Sequence, residues 1–186
     1  MLLGAKQSLK KSYLTAGLCL FAFAATLMGQ STQELDKLKA VYLFNFTKMV
    51  SWPANSFSDE KSPIRIAVSD KCQFKPVLDI LATNSKPIKG RKVEIIQFSR
   101  FEEIEGAHVV YFDEKASKEI EDYQEKLGLS PTLTVGEGSQ FAVEGGCLGY
   151  VVPKTKLRYW INLKAVQNGK LKMAPQFLRT ADKLIK

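Results

Sequence analysis

Between Ile64 and Val135 the apolar residues of this chain change repeatedly from a period of two to a period near four, and that alternation leaves few folds open. Ile64 to Ser69 (IRIAVS) is a short run rich in β-branched residues. Phe74 to Thr83 then places Val77, Leu78 and Leu81 at helical steps. A second strand is predicted over Lys92 to Phe98, a third over Ala107 to Phe112 (AHVVYF), a charged helix over Ser117 to Leu127 and a fourth strand over Thr132 to Val135 (TLTV). Strands that alternate with helices pair in parallel, because each helix carries the chain back across a sheet face, and such crossovers are right-handed.

Beyond Gly145-Gly146 the pattern changes. Cys147 to Val152 and Leu157 to Leu163 are apolar runs joined only by Pro153 to Lys156, too short a link for a parallel return, so they predict an antiparallel hairpin and a mixed sheet. Pro175 to Lys186 puts Phe177, Leu178, Ala181, Leu184 and Ile185 on one helical face, and a closing helix is expected. Ahead of the sheet, Glu34 to Ser51 spaces Leu35, Leu38, Val41, Tyr42, Phe46 and Met49 as an amphipathic helix that Trp52-Pro53 ends. The fold class is therefore α/β: a single three-layer domain with a mixed, mostly parallel sheet, a C-terminal β-hairpin and flanking helices.

The first 31 residues read differently. Lys6, Lys10 and Lys11 precede a run from Tyr13 to Met28 without one charge, and a polar segment follows. The run is shorter than the roughly 20 residues a membrane-spanning helix needs, so residues 1–31 are expected to be a cleaved secretory signal and 32–186 the mature domain, soluble in the periplasm. An uncleaved anchor is the competing reading. Lipidation at Cys19 is disfavoured by the bulky Leu18 before it.

With 27 Lys+Arg against 19 Asp+Glu in 186 residues the formal charge is +8, and loss of the three signal lysines leaves a milder excess. The basic residues are dispersed over loops and strand ends, which suits a solvated surface and not a nucleic-acid groove. One histidine and three cysteines cannot build a histidine cluster or a four-thiolate zinc site, so neither a metal nor another cofactor is expected. After export only Cys72 and Cys147 remain. Paired, they would stabilise the fold by about 4 kcal/mol through chain entropy; two separate buried thiols are the equal alternative.

No nucleophile with a base can be assembled. His108, the one imidazole, sits inside the strand AHVVYF and reads as a packed side chain. Gly136-Glu137-Gly138 lacks the third glycine of a phosphate loop, and Ser139-Gln140-Phe141 does not open a convincing helix, so a tight turn is expected there. Asp70, Asp113 and Glu137 fall at the carboxyl ends of predicted parallel strands, where open α/β sheets bind ligands. They could line a small polar crevice; solvated loop acids are the plainer reading.

The blocks KAVYLFNFTKMVSWP, IRIAVS, TLTVGE, GGCLGYVV and LRYWINLKAVQNGKLKMAPQFLRTADKL, in this order and spacing, resemble the YfiR-like family of exported bacterial proteins over nearly all of the chain from Lys37 to Leu184. The resemblance implies a periplasmic protein without catalysis. It would repress an integral membrane signalling protein, a diguanylate cyclase, through its periplasmic sensor portion and so lower cyclic-di-GMP output. A small-ligand sensor, or an accessory of another envelope receptor or transport system, is the alternative. Tyr42, Phe44 and Phe46 give the first helix apolar groups on more than one side. With Trp52 they form the candidate surface for a receptor or a homodimer, with ordinary core as the other reading; Trp52-Pro53 by itself most simply stops the helix, and Asn162 in WINL is expected to satisfy backbone groups at a strand end.

Overall fold

In the computed structural model, which describes residues 32–127 and 130–186, the alternating stretch is a parallel sheet as its periodicity requires. The chain divides into two units after Lys37. Of the first, residues 32–37 are described; they are helical, with Lys37 3.0 Å from Glu34. The segment assigned to the signal, residues 1–31, lies outside the described residues. Among the described residues no helix is long and apolar enough to cross a membrane.

The second unit opens with helix α1 (residues 38–49), and the chain then turns into a two-residue strand, β1 (Val50–Ser51). Next come β2 (Ile64–Ser69), α2 (Lys75–Asn84), β3 (Val93–Phe98) and β4 (Val109–Tyr111). The predicted charged helix is broken into α3 (Glu114–Ser117) and α4 (Ile120–Leu127). They are followed by β5 (Leu133–Glu137), α5 (Gly138–Val143) and the hairpin strands β6 (Leu148–Val151) and β7 (Arg158–Asn162). The end of the chain holds α6 (Leu163–Asn168), β8 (Lys172–Met173), α7 (Pro175–Leu178) and β9 (Lys183–Ile185).

Seven strands form one sheet in the order β3-β2-β4-β5-β6-β7-β9, and β1 pairs with β8 in a separate two-stranded ribbon. β6 and β7 are antiparallel, with Tyr150 opposite Tyr159, and every other neighbouring pair in the large sheet is parallel. Side chains alternate faces along a strand. Tyr111, Tyr150 and Tyr159 point to one face, where Phe46 of α1 and Phe74, which leads into α2, meet them. Ala67, Val110 and Phe112 point to the other and pack with Ile120 of α4 and Phe141 of α5. Helices on both faces give the predicted three layers.

Three expectations are corrected. The chain does not close with a helix over Pro175 to Lys186. α7 stops at Leu178, and β9 pairs in parallel with β7 instead, its approach fixed by the Asp182 amide donating to the Tyr159 carbonyl at 3.0 Å. The segment after Gly136-Glu137 is not a simple turn, because Gly138 starts α5. That helix exists because the Phe141 ring lies between Gly136 and Gly146, where an added Cβ would come within 2.6 Å of it on either side. Gly149 in β6 lets the same helix approach by its backbone: a Cβ there would lie 2.3 Å from the Gly138 carbonyl oxygen. Finally, the predicted charged helix is two short ones.

Asn162 does what a polar residue at a strand end must. It is buried, its Oδ1 accepts from the Ala165 amide at 3.0 Å to cap α6, and its Nδ2 donates to the Ala142 carbonyl at 2.8 Å.

Candidate functional site

The three acids lie where the sequence puts them, at or just past the carboxyl ends of β2, β4 and β5, but their carboxylates go to three different partners. Asp70 accepts from the Ser99 hydroxyl at 3.0 Å, beyond the end of β3. Asp113 caps α3: one oxygen accepts from the Lys115 and Ala116 amides at 3.1 and 3.0 Å, and the other from the Ser69 hydroxyl at 3.0 Å. Glu137 turns towards α1, where its Oε1 lies 2.7 Å from Lys39 Nζ and accepts from the Tyr111 hydroxyl. Each carboxylate completes a structural bond with its own partner.

The Glu137 cluster is one that sequence reading catches only in part. Lys39 and Glu137 are largely buried, with side chains 13% and 17% exposed, and a buried ion pair needs further hydrogen bonds to offset desolvation. Tyr111 supplies one, while Tyr150 donates to the Lys39 carbonyl at 3.0 Å. Burial, reinforced by the Glu137 charge, pushes both tyrosine hydroxyls up from their ordinary range, so both stay protonated donors. The cluster pins the start of α1 to the sheet. Its signal in the sequence is only a lysine in the polar stripe of a helix.

His108 is packed, as expected. Its Nδ1 accepts from the Arg65 amide at 3.1 Å, which leaves the proton on Nε2, 3.1 Å from the Ser56 carbonyl. The ring stacks on Phe57 at 4.4 Å, and the Trp52 indole donates to the His108 carbonyl at 3.0 Å. Burial lowers the imidazole pKa. The polar atoms of this ring are all used in structure.

Cys72 and Cys147 are not bridged, which corrects the paired alternative. Cys72 follows the end of β2 and Cys147 precedes β6, three strands away in the order β2-β4-β5-β6. At about 4.8 Å per strand that is roughly 14 Å, against the 4.4–6.8 Å between Cα atoms that a disulfide spans. Cys147 is buried, its amide donates to the Thr134 hydroxyl at 2.8 Å, and burial raises its thiol pKa.

The proposed aromatic surface also divides. Phe44 and Phe46 are each 3% exposed and belong to the core, a correction that follows from helices and sheet closing on both sides of α1. Tyr42 and Trp52 are half-buried. Tyr42 stands edge-on to Phe46 at 6.3 Å and to Tyr159 at 6.2 Å, within the range of favourable aromatic pairs. It lines an open trough of about 350 Å³ with Met49, Leu157 and Phe177. Its opposite walls are α1 and the strand β7 with its approach, and Leu157 and Phe177, far away in sequence, are what the helix pattern alone does not reveal. The arrangement suits an apolar contact and offers no acid–base pair.

A family profile described as YfiR/HmsC-like matches residues 36–182. No curated protein matches. Among solved structures, a conserved domain protein from Vibrio cholerae O1 biovar eltor str. N16961 is 11% identical with a TM-score of 0.47, covering 65% of this chain and 54% of that one. An ABC domain from Streptococcus pneumonia, solved in complex with L-Trp, is 12% identical with a TM-score of 0.47, covering 65% of this chain and 56% of that one. The chain thus spans little more than half the length of either.

Proposed function

Because this chain belongs to the YfiR/HmsC-like family, we propose that it is a non-catalytic regulator of the cell envelope that binds the periplasmic portion of a membrane-bound diguanylate cyclase and holds it in a low-output state. The observation that carries this reading is the family match over residues 36–182, which includes nearly every element of the sheet and its helices. The site geometry agrees with it. The imidazole and the three strand-end acids are engaged in structural bonds, and an open trough along α1 is suited to apolar contact with another protein.

Inhibition across a membrane requires a difference in affinity. A regulator that bound both receptor states equally would shift nothing, and each tenfold preference for the quiet state displaces the equilibrium by about 1.4 kcal/mol. We assign the receptor contact to the trough along α1, where Tyr42 and Met49 remain reachable. Export with cleavage near residue 31 would deliver residues 32–186 to the compartment where that receptor portion lies.

Deletion of the gene is expected to raise cellular cyclic-di-GMP, and the wild-type gene in trans to lower it. The variant Met49→Lys should fold yet fail to restore repression, and chemical cross-linking in the intact envelope should join the wild-type protein to a cyclase that spans the membrane. Unchanged cyclic-di-GMP on deletion would sink the proposal.

A further inference from the structure

Basic residues that are dispersed along the sequence are in part gathered by the fold. At the amino ends of the parallel strands, where α1 and α2 finish, Lys48, Lys86, Lys89, Lys92 and Lys172 are all exposed. Their neighbourhood is fixed by a few contacts. The Ile64 amide, at the start of β2, donates to the Lys92 carbonyl at 2.8 Å. Lys89 Nζ donates to the Val50 carbonyl at 2.9 Å and to the Ser51 hydroxyl at 2.6 Å. Lys172 stands opposite Ser51 in the β1–β8 ribbon, and directly opposed side chains share a face, so two lysines flank one serine. Lys48, in the last turn of α1, lines a trough of about 220 Å³ with Ser85, the residue before Lys86.

Among the described residues none of these five lysines has a carboxylate partner; the ion pairs are made by other cations. Of the acids at this end of the sheet, Asp59 accepts from the Lys61 and Ser62 amides at 2.6 and 2.7 Å, and Glu94 is held 3.2 Å from Arg65. Glu60 and Glu105 belong to the loops before β2 and β4. Like charges gathered without a counter-charge repel, so an anion laid over them relieves the repulsion. Lys89 is also held against its backbone preference. It takes the first place of the two-residue turn between Ile88 and Arg91 with φ 52°, where asparagine, aspartate or glycine is ordinary.

The residue type indicates which anion. A lysine ammonium is a point charge on a flexible stem and suits mobile headgroups, whereas fixed carboxylates are gripped by the planar fork of arginine. The arginines beside the patch are committed: Arg91 to the Asp59 and Ser62 carbonyls at 2.8 Å each and to the Phe57 ring, Arg65 to Glu94. In the same trough as Lys48, Ile80 of α2 is 61% exposed. Cations around an apolar tip match the boundary between lipid headgroups and acyl chains. We propose that this end of the sheet docks on an anionic lipid bilayer, with the lysines over headgroup phosphates and Ile80 at the acyl boundary. None of these residues lines the trough beside Tyr42, so the docking leaves that surface free and does not depend on the proposed regulatory role.

Flotation of the purified protein with vesicles of phosphatidylcholine and phosphatidylglycerol in equal parts is expected to carry it upward at low salt. Vesicles of phosphatidylcholine alone, or salt at about 0.5 M, should leave it behind. Each lysine near such a surface is worth about fivefold in partition. Lys92→Gln with Lys172→Gln, whose side chains make no bond among the described residues, should therefore lower the partition at least tenfold with an unchanged circular dichroism spectrum. Lys154→Gln with Lys156→Gln removes the same charge from the β6–β7 link at the opposite end of the sheet, and should lower it by about twofold at most. A second measurement reports position. In a Cys72→Ser background, a polarity-sensitive dye attached at Ile80→Cys should shift to the blue on the mixed vesicles, and the same dye at Val143→Cys of α5 should not. No flotation with the mixed vesicles, equal flotation with both kinds, equal weakening by the two lysine pairs, or a shift at residue 143 and not at residue 80 would each overturn the inference. Tight binding of soluble polyglutamate without binding to vesicles would overturn it too, and would make the patch a seat for an acidic protein.

Discussion

At the scale of the residue, His108 makes three contacts through one ring, with the Arg65 amide, the Ser56 carbonyl and the Phe57 face, and the first of them requires a neutral, accepting Nδ1. Burial lowers its pKa in the folded protein below the ordinary value of about 6.5. The sign follows from linkage: its contribution is fully present above pH 6.5 and is lost as pH falls from there towards the lower folded value, because the unfolded chain takes up the proton first. His108→Asn should be less stable than wild type by about 1–2 kcal/mol at pH 7, and chemical denaturation should show that gap narrowing by pH 5. A gap independent of pH would remove the neutral ring from the account. The packed role of His108 is legible in the sequence from its place inside AHVVYF. Its partners are not, since Ser56 and Arg65 lie 52 and 43 residues away. The same holds for Glu137: its strand-end position is predictable, but its pairing with Lys39 depends on how α1 crosses the sheet.

At the scale of the element, local pattern succeeds where a segment carries its own period and fails where a neighbour decides. Strand β2 falls on the predicted residues, and the hairpin β6–β7 follows from a link too short for any other return. α5 fails that test because its stability comes from Phe141 between two glycines and from close backbone packing on Gly149. Gly149→Ala is expected to cost about 1–3 kcal/mol, the range for forcing extra volume into a packed site, because the neighbouring atom is a backbone carbonyl that cannot rotate away. A lowered urea midpoint with an unchanged slope would show this, and wild-type stability would refute the close approach. The last segment fails for a different reason. Lys183–Ile185 is too short for periodicity to separate strand from helix, and the open edge of β7 settles the matter.

For the molecule as a whole, the absence of a bridge between Cys72 and Cys147 means that the sheet is held by packing and hydrogen bonds and not by a covalent loop. Thermal unfolding midpoints with and without reductant should therefore coincide, and thiol labelling after unfolding should find both cysteines reactive. A bridged chain would lose about 4 kcal/mol on reduction. By itself the sequence determined the fold class, the parallel core, the antiparallel hairpin and, through the order of its blocks, the family, because these depend on periodicity and connection length within short stretches of chain. Only the tertiary structure decided which thiols and acids meet, which aromatic residues are buried, where the chain's last strand pairs and which sheet edge is left open. Such outcomes are set by distances between residues remote in sequence, and a one-dimensional pattern carries no measure of those distances.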